Sequence, residues 1–192
     1  LGRIGTRQAL EAMLDGLEEG GRWSQEKIAE AVEEAGDGSR VILRELLASG
    51  DPRRRAFAAE VMGGVGGEED VTLLEDALAD ESVDVRARAA ASLGRMARPS
   101  SIPALEAALD DPAWEVRAQA AKALGAMRAG ESAPRLAQAL RDPEWWVRNN
   151  AAAALREIGE EGEAPLVEAL WGEDRFARET AAQALEESGA VE

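Results

Sequence analysis

A chain of 192 residues with 45% hydrophobic content is long enough to bury a core, and a formal charge of -16 sets it against phosphate backbones, so no nucleic acid partner is expected. Cysteine and histidine are both absent, which removes disulfides, thiolate nucleophiles and imidazole ligands. No apolar run approaches the length of a bilayer span and no basic-then-apolar leader opens the chain; the expectation is a soluble segment without membrane contact, cytoplasmic by default, with a soluble ectodomain of a membrane-anchored protein as the alternative.

The first four residues, Leu1-Gly2-Arg3-Ile4, read like Leu93-Gly94-Arg95-Met96 further on, so the chain is expected to open on the tail of a helix and to be a fragment of a longer protein. Leu17 closes a first short helix, Gly20-Gly21 marks a turn, and residues 24–35 (SQEKIAEAVEEA) read as a degenerate second helix. Regular units follow over residues 37–189. In each, a shorter helix A ends at Leu47, Leu78, Leu109, Leu140 or Leu170. Pro103, Pro134 and Pro165 suit its first turn, where a missing donor is harmless, with Ser101 and Ser132 as candidate caps. Helix B opens at Asp51-Pro52, Asp111-Pro112 and Asp142-Pro143, the aspartate capping free amides and the proline taking the first helical position; Asp80 and Asp174 open it without proline. The pairs Ala58-Ala59, Ala89-Ala90, Ala120-Ala121, Ala151-Ala152 and Ala181-Ala182 then let helices of adjacent units approach closely. Val32, Met62, Leu93, Leu124, Leu155 and Leu185 supply the large apolar knob, and Gly189 stops the last helix. Helical periodicity thus predicts an all-α, right-handed α-solenoid of about six stacked helical pairs with a 31-residue repeat. It forms a single domain over 1–192, degenerate over 1–36 and regular over 37–189.

Arg86, Arg117 and Arg148 recur at that period, with Arg55 31 residues before the series and Arg178 30 residues after it. Arginine, alanine pair and leucine in this fixed register resemble the HEAT-like repeats of the phycobilisome-lyase type. The resemblance implies a structural ladder between adjacent units, carried by Arg86, Arg117 and Arg148 with Asp80, Asp111 and Asp142, and extended to Arg55 with Asp51 and Arg178 with Asp174. It also implies that helix B lines a concave surface, and that members include chromophore-lyase subunits and adaptor modules. A charge repeated in every unit serves stacking, so the ladder is not itself read as a binding site.

Function is sought where units differ. Three residues before the repeat arginine stand Val83, Trp114, Trp145 and Arg175, and two before it stand Asp84, Glu115, Trp146 and Phe176. Further along helix B the exposed columns hold Arg88, Gln119, Asn149, Asn150 and Lys122. Tryptophan dominates binding interfaces, and paired carboxamides do nothing for helix propensity but can bond a peptide backbone or sugar hydroxyls. Trp114, Trp145, Trp146, Asn149, Asn150, Gln119, Arg88, Lys122, Arg175 and Phe176 are therefore the candidate site. Trp23 and Trp171 fall outside these columns and read as packing residues. The acidic loops around Glu68 and Glu160 lack calcium-loop spacing, and no nucleophile motif, phosphate loop or catalytic constellation is present, so neither metal, cofactor nor enzyme activity is expected. The expected function is a scaffold or adaptor binding a protein or peptide of basic or polar character. Two alternatives are a chromophore-lyase-like subunit and a DNA-lesion-binding fold, the latter opposed by the acidic charge.

Overall fold

The computed structural model describes residues 37–188. The opening helix tail, Leu17, Gly20-Gly21, Trp23, the degenerate helix over 24–35 and the Gly189 stop lie outside them. Every regular element among the described residues is helical. Ten α-helices alternate short and long: α1 (Asp37–Leu47), α2 (Pro52–Val65), α3 (Glu68–Ala77), α4 (Val83–Met96), α5 (Ile102–Ala108), α6 (Trp114–Ala126), α7 (Ala133–Ala139), α8 (Trp145–Ile158), α9 (Glu160–Leu170) and α10 (Arg175–Ser188). Odd-numbered helices are the A helices and even-numbered ones the B helices. They group into two compact units, one ending at Ser92 and one starting at Leu93.

The core of each unit draws on both kinds of helix: Leu43, Leu74, Leu105, Leu136 and Leu166 of the A helices are fully buried, and the B helices add their alanines and large apolar residues. Ala58, Ala59, Ala89, Ala90, Ala120, Ala121, Ala151, Ala152 and Ala181 are buried, as are Met62, Leu93, Leu124, Leu155 and Leu185. Alanine on both sides lets the backbones close up, and within the second unit glycine carries this further. A Cβ on Gly94 would lie 2.8 Å from the Ala123 Cα, and one on Gly125 would lie 2.6 Å from the Ala154 Cα. Nothing larger than hydrogen fits at either position. The valine just before the repeat arginine is buried in Val85, Val116 and Val147, with Ala177 in the last B helix.

Three local expectations are corrected by the structure. Proline takes the first position of a B helix only in α2, where Asp51 accepts from the Arg53 amide at 2.9 Å. At Asp111-Pro112 and Asp142-Pro143 the helix starts at Trp114 and Trp145 instead, because the aspartate closes a turn onto the Ala113 or Glu144 amide before the helix begins. Ser101 and Ser132 make no side-chain cap: a single 3-10 turn (Pro99–Ser101, Gly130–Ser132) leads into α5 and α7, and the Ser132 hydroxyl donates to Glu106 Oε1 at 2.7 Å. Pro165 sits inside α9 and not in its first turn. Gly159, at φ +88°, reverses the chain at once after α8, and Glu160, Glu161 and Glu163 favour an early helix start.

The arginine ladder is present with a partner other than the one expected for Arg55. Arg55 Nε and Nη2 donate to Asp80 Oδ2 and Oδ1 at 2.7 and 2.9 Å, and Arg117 Nε and Nη2 make the same pair of bonds to Asp142 at 2.7 and 2.9 Å. The carboxylate thus comes from the following helix B start, 25 residues ahead, and not from Asp51 for Arg55 or Asp111 for Arg117, whose contact with Asp111 is to the backbone carbonyl. Meanwhile Nη1 reaches back to the carbonyl six residues earlier: Ser49 for Arg55, Asp80 for Arg86, Asp111 for Arg117, Asp142 for Arg148 and Gly172 for Arg178. One guanidinium ties its own turn to the next turn along the chain. Hydrogen bonding to Arg55, above all, holds the Asp80 carboxyl below the usual aspartate range.

Two outcomes follow from this geometry. Arg117→Ala strips three sets of bonds from a mostly buried site, whereas Arg178 has only carbonyl partners among the described residues. In urea melts the first change should cost about 1–3 kcal/mol and the second clearly less. Equal losses would mean that the arginines do not act through the following unit. The second outcome concerns acid. A depressed carboxyl contributes stability above its unfolded value, near pH 4, and loses it as pH falls through the lower folded value. Wild type should therefore exceed Asp80→Asn in stability at neutral pH, with the gap closing below about pH 4; a gap that persists into strong acid would refute an ionic role for Asp80.

Candidate binding surface

Helix geometry sets what the B helices show to solvent. With Val116 and Val147 directed into the core, positions one and two residues earlier turn outward at the first turn. In the second unit this exposes Trp114 (36%), Trp145 (49%), Trp146 (55%) and Phe176 (56%). Trp145 and Trp146 lie edge to face, with ring centroids 4.7 Å apart and planes at 76°. Edge-to-face packing lets two adjacent tryptophans share one helical turn, with neither entering the core.

Phe176 has a second role. Its ring centroid lies 4.7 Å from the guanidinium carbon of Arg148, placing an aromatic face on the charge. Arg148 is itself buried, and its Nη1 donates to the Asp142 and Pro143 carbonyls at 2.8 and 2.9 Å. Its Nε has no hydrogen-bond partner among the described residues. Leaving such a donor unsatisfied costs about 1–3 kcal/mol. The expected ladder is thus interrupted here, and a cation-π contact stands in its place.

The remaining candidate residues divide by what they touch. Asn150 donates from Nδ2 to the Ala118 carbonyl on α6 at 2.9 Å, so its carboxamide N–H is committed to joining two B helices. Asn149 and Gln119 are half-buried, and Lys122 is exposed. Arg175 pairs with Glu179 one turn on, at 2.7 Å. Arg88 belongs to the first unit, where it is engaged by Glu60 and by Asp84 at 2.9 Å. Exposed aromatics therefore dominate the surface of the second unit, and its Arg175 is already paired with Glu179. Trp171, expected to pack, is instead 86% exposed, because it follows the last residue of α9 as the chain leaves the helix. Only its position outside the helix B columns had suggested burial, and a helix C-terminal cap is a solvent position. The stacking of Phe176 on Arg148 was not visible in the sequence. Its signal was the 30-residue spacing from Arg148 to Arg178, one short of the repeat.

No cluster of three or more histidine, cysteine, aspartate or glutamate side chains among the described residues is arranged to hold a metal ion, and no helix among them is long and apolar enough to cross a membrane. Asn150→Ala should lower stability by about 0.5–1.5 kcal/mol in thermal or urea melts, through loss of its bond to α6. A neutral effect would return Asn150 to the set of residues free to bind a ligand.

Comparison with known proteins bears on the fold. The profile of HEAT repeats matches overlapping stretches, residues 22–94, 40–113, 71–144 and 102–186. No curated protein sequence matches the chain significantly. Among solved structures, the YibA protein of E. coli is 22% identical over 96% of this chain and 74% of its own, with a TM-score of 0.67. An engineered protein is 22% identical over 99% and 94% of the two chains, TM-score 0.57. A computationally designed armadillo repeat protein for modular peptide recognition is 20% identical over 94% and 97%, TM-score 0.58. At these identities the likeness concerns the fold, an all-α solenoid of repeated helical pairs.

Proposed function

The chain belongs to the HEAT-repeat family, and on that premise we propose that it is a protein-binding scaffold whose second unit takes a peptide or protein segment on the first turns of its B helices. The observation that carries this reading is the exposure of Trp114, Trp145, Trp146 and Phe176 at two adjoining register positions of successive B helices. Exposed aromatic area of this kind is costly to leave bare, and it is characteristic of residues that dominate interfaces. Glu115, Glu144, Glu173 and Glu179 are exposed around these rings. Together, π-faces and carboxylates favour lysine and arginine side chains, which gain from both.

Nothing in this arrangement calls for catalysis or a cofactor. The designed armadillo relative is described as built for peptide recognition, and that description is consistent with a helical repeat serving such a role here. The repeat arginines belong to the stack and not to the proposed surface, except where Arg148 meets Phe176.

Peptides selected from a random display library on the wild-type chain supply the test. They should be enriched in lysine and arginine, and Trp146→Ala should weaken them about 30-fold or more, near 2 kcal/mol, while shifting the melting temperature little. Association should slow as salt rises. Selected peptides that bind the Trp146→Ala protein unchanged, or a variant that melts many degrees lower, would remove this surface from the argument.

A further inference from the structure

The break in the ladder has a definite shape. In two other steps of the ladder, a carboxylate sits on the Nε and Nη2 edge of arginine: Asp80 on Arg55 and Asp142 on Arg117. Each of these aspartates also supplies the backbone carbonyl that accepts from the next repeat arginine, six residues on. In the last unit that carbonyl belongs to Gly172, which accepts from Arg178 Nη1 at 2.8 Å. Gly172 therefore occupies the ladder aspartate's place without a side chain. Asp174, two residues later, is turned away to cap the Ala177 amide at 2.8 Å. The result is a guanidinium 6% exposed whose Nε lacks an acceptor, held by carbonyls on one edge and covered by Phe176 on its face. A Cβ built on Gly172 would meet only the Ala169 carbonyl within 4 Å, its oxygen at 3.3 Å, so a side chain can be added at this position.

We propose that the Arg148 edge beside Gly172 is a carboxylate-binding seat, filled by an acidic side chain or chain terminus of a partner in the way Asp80 and Asp142 fill the intact steps. The donor geometry is already built. Nη1 is anchored by two carbonyls and Phe176 fixes the plane of the group, so a bidentate carboxylate pays little to order it. This inference shares Phe176 with the proposed surface but needs none of its tryptophans.

Arginine Nε–H resonances of the whole chain report on it directly. N-acetylglycine presents a terminal carboxylate, and N-acetylaspartate amide presents only a side-chain carboxylate; each is titrated against chloride at equal ionic strength. At least one should shift the Arg148 resonance saturably, with a midpoint on the order of 10–100 mM, and leave the already paired Arg117 resonance in place. Which one does so identifies the source. Gly172→Asp should move the Arg148 resonance without ligand and abolish the response, while Gly172→Ala, which brings no acceptor, should keep the response. Trp146→Ala should respond as wild type does. The seat is overturned if both probes act like chloride on the wild-type chain, if Gly172→Asp still responds, or if Trp146→Ala loses the response.

Discussion

Directional bonding by one arginine per repeat is the constraint on which the rest of the arrangement depends. Alanine-rich contacts between B helices are smooth and non-directional, and by themselves they fix neither axial register nor rotation. Arg55 and Arg117 add what is missing, since each joins a carbonyl in its own turn to a carboxylate in the following turn at hydrogen-bonding distance. Two bonds to one carboxylate also set orientation, which a single contact would leave free.

Fixing the arginine fixes its neighbours on the same helical turn. The residue before it is driven inward, as Val116 and Val147 are, and the two residues before that must then face solvent. Apart from Phe176, which lies against the Arg148 guanidinium, those outward positions are free to vary without cost to the ladder. They hold glutamate and tryptophan in one B helix, two tryptophans in the next, and arginine with phenylalanine in the last. The surface chemistry of the second unit is therefore written at positions the fold does not need.

How much of this was legible follows from what periodicity can report. Alanine pairs, leucine knobs and helix pairs recur at the repeat length, so each copy confirmed the others, and all-helical HEAT architecture was readable from them. Features that occur once had no such support. Pro165 has the spacing of Pro103 and Pro134 but lies mid-helix, because Gly159 starts α9 early. Asn150 looks like a free polar residue until the neighbouring helix brings the Ala118 carbonyl to it. Trp171 looked like packing until its place after a helix end was known. Arg55 and Arg117 take their carboxylates from the following helix B start, which spacing does not reveal: it shows that a charge repeats, and not which neighbour it faces.

The reach of each rung, 25 residues forward and six back, also says how such a chain can change length. Duplicating or deleting one whole 31-residue repeat keeps the spacing between each paired arginine and its aspartate, so copying by entire units is silent to the ladder. Loss of a single residue between two rungs is not silent: it moves the aspartate out of reach and orphans the arginine behind it. The step from Arg148 to Arg178 is 30 residues, one short of the repeat, and Gly172 stands there where the acid would. Expansion copied from the 31-residue units would extend the stack with intact rungs, whereas expansion copied from the last unit would propagate the gap.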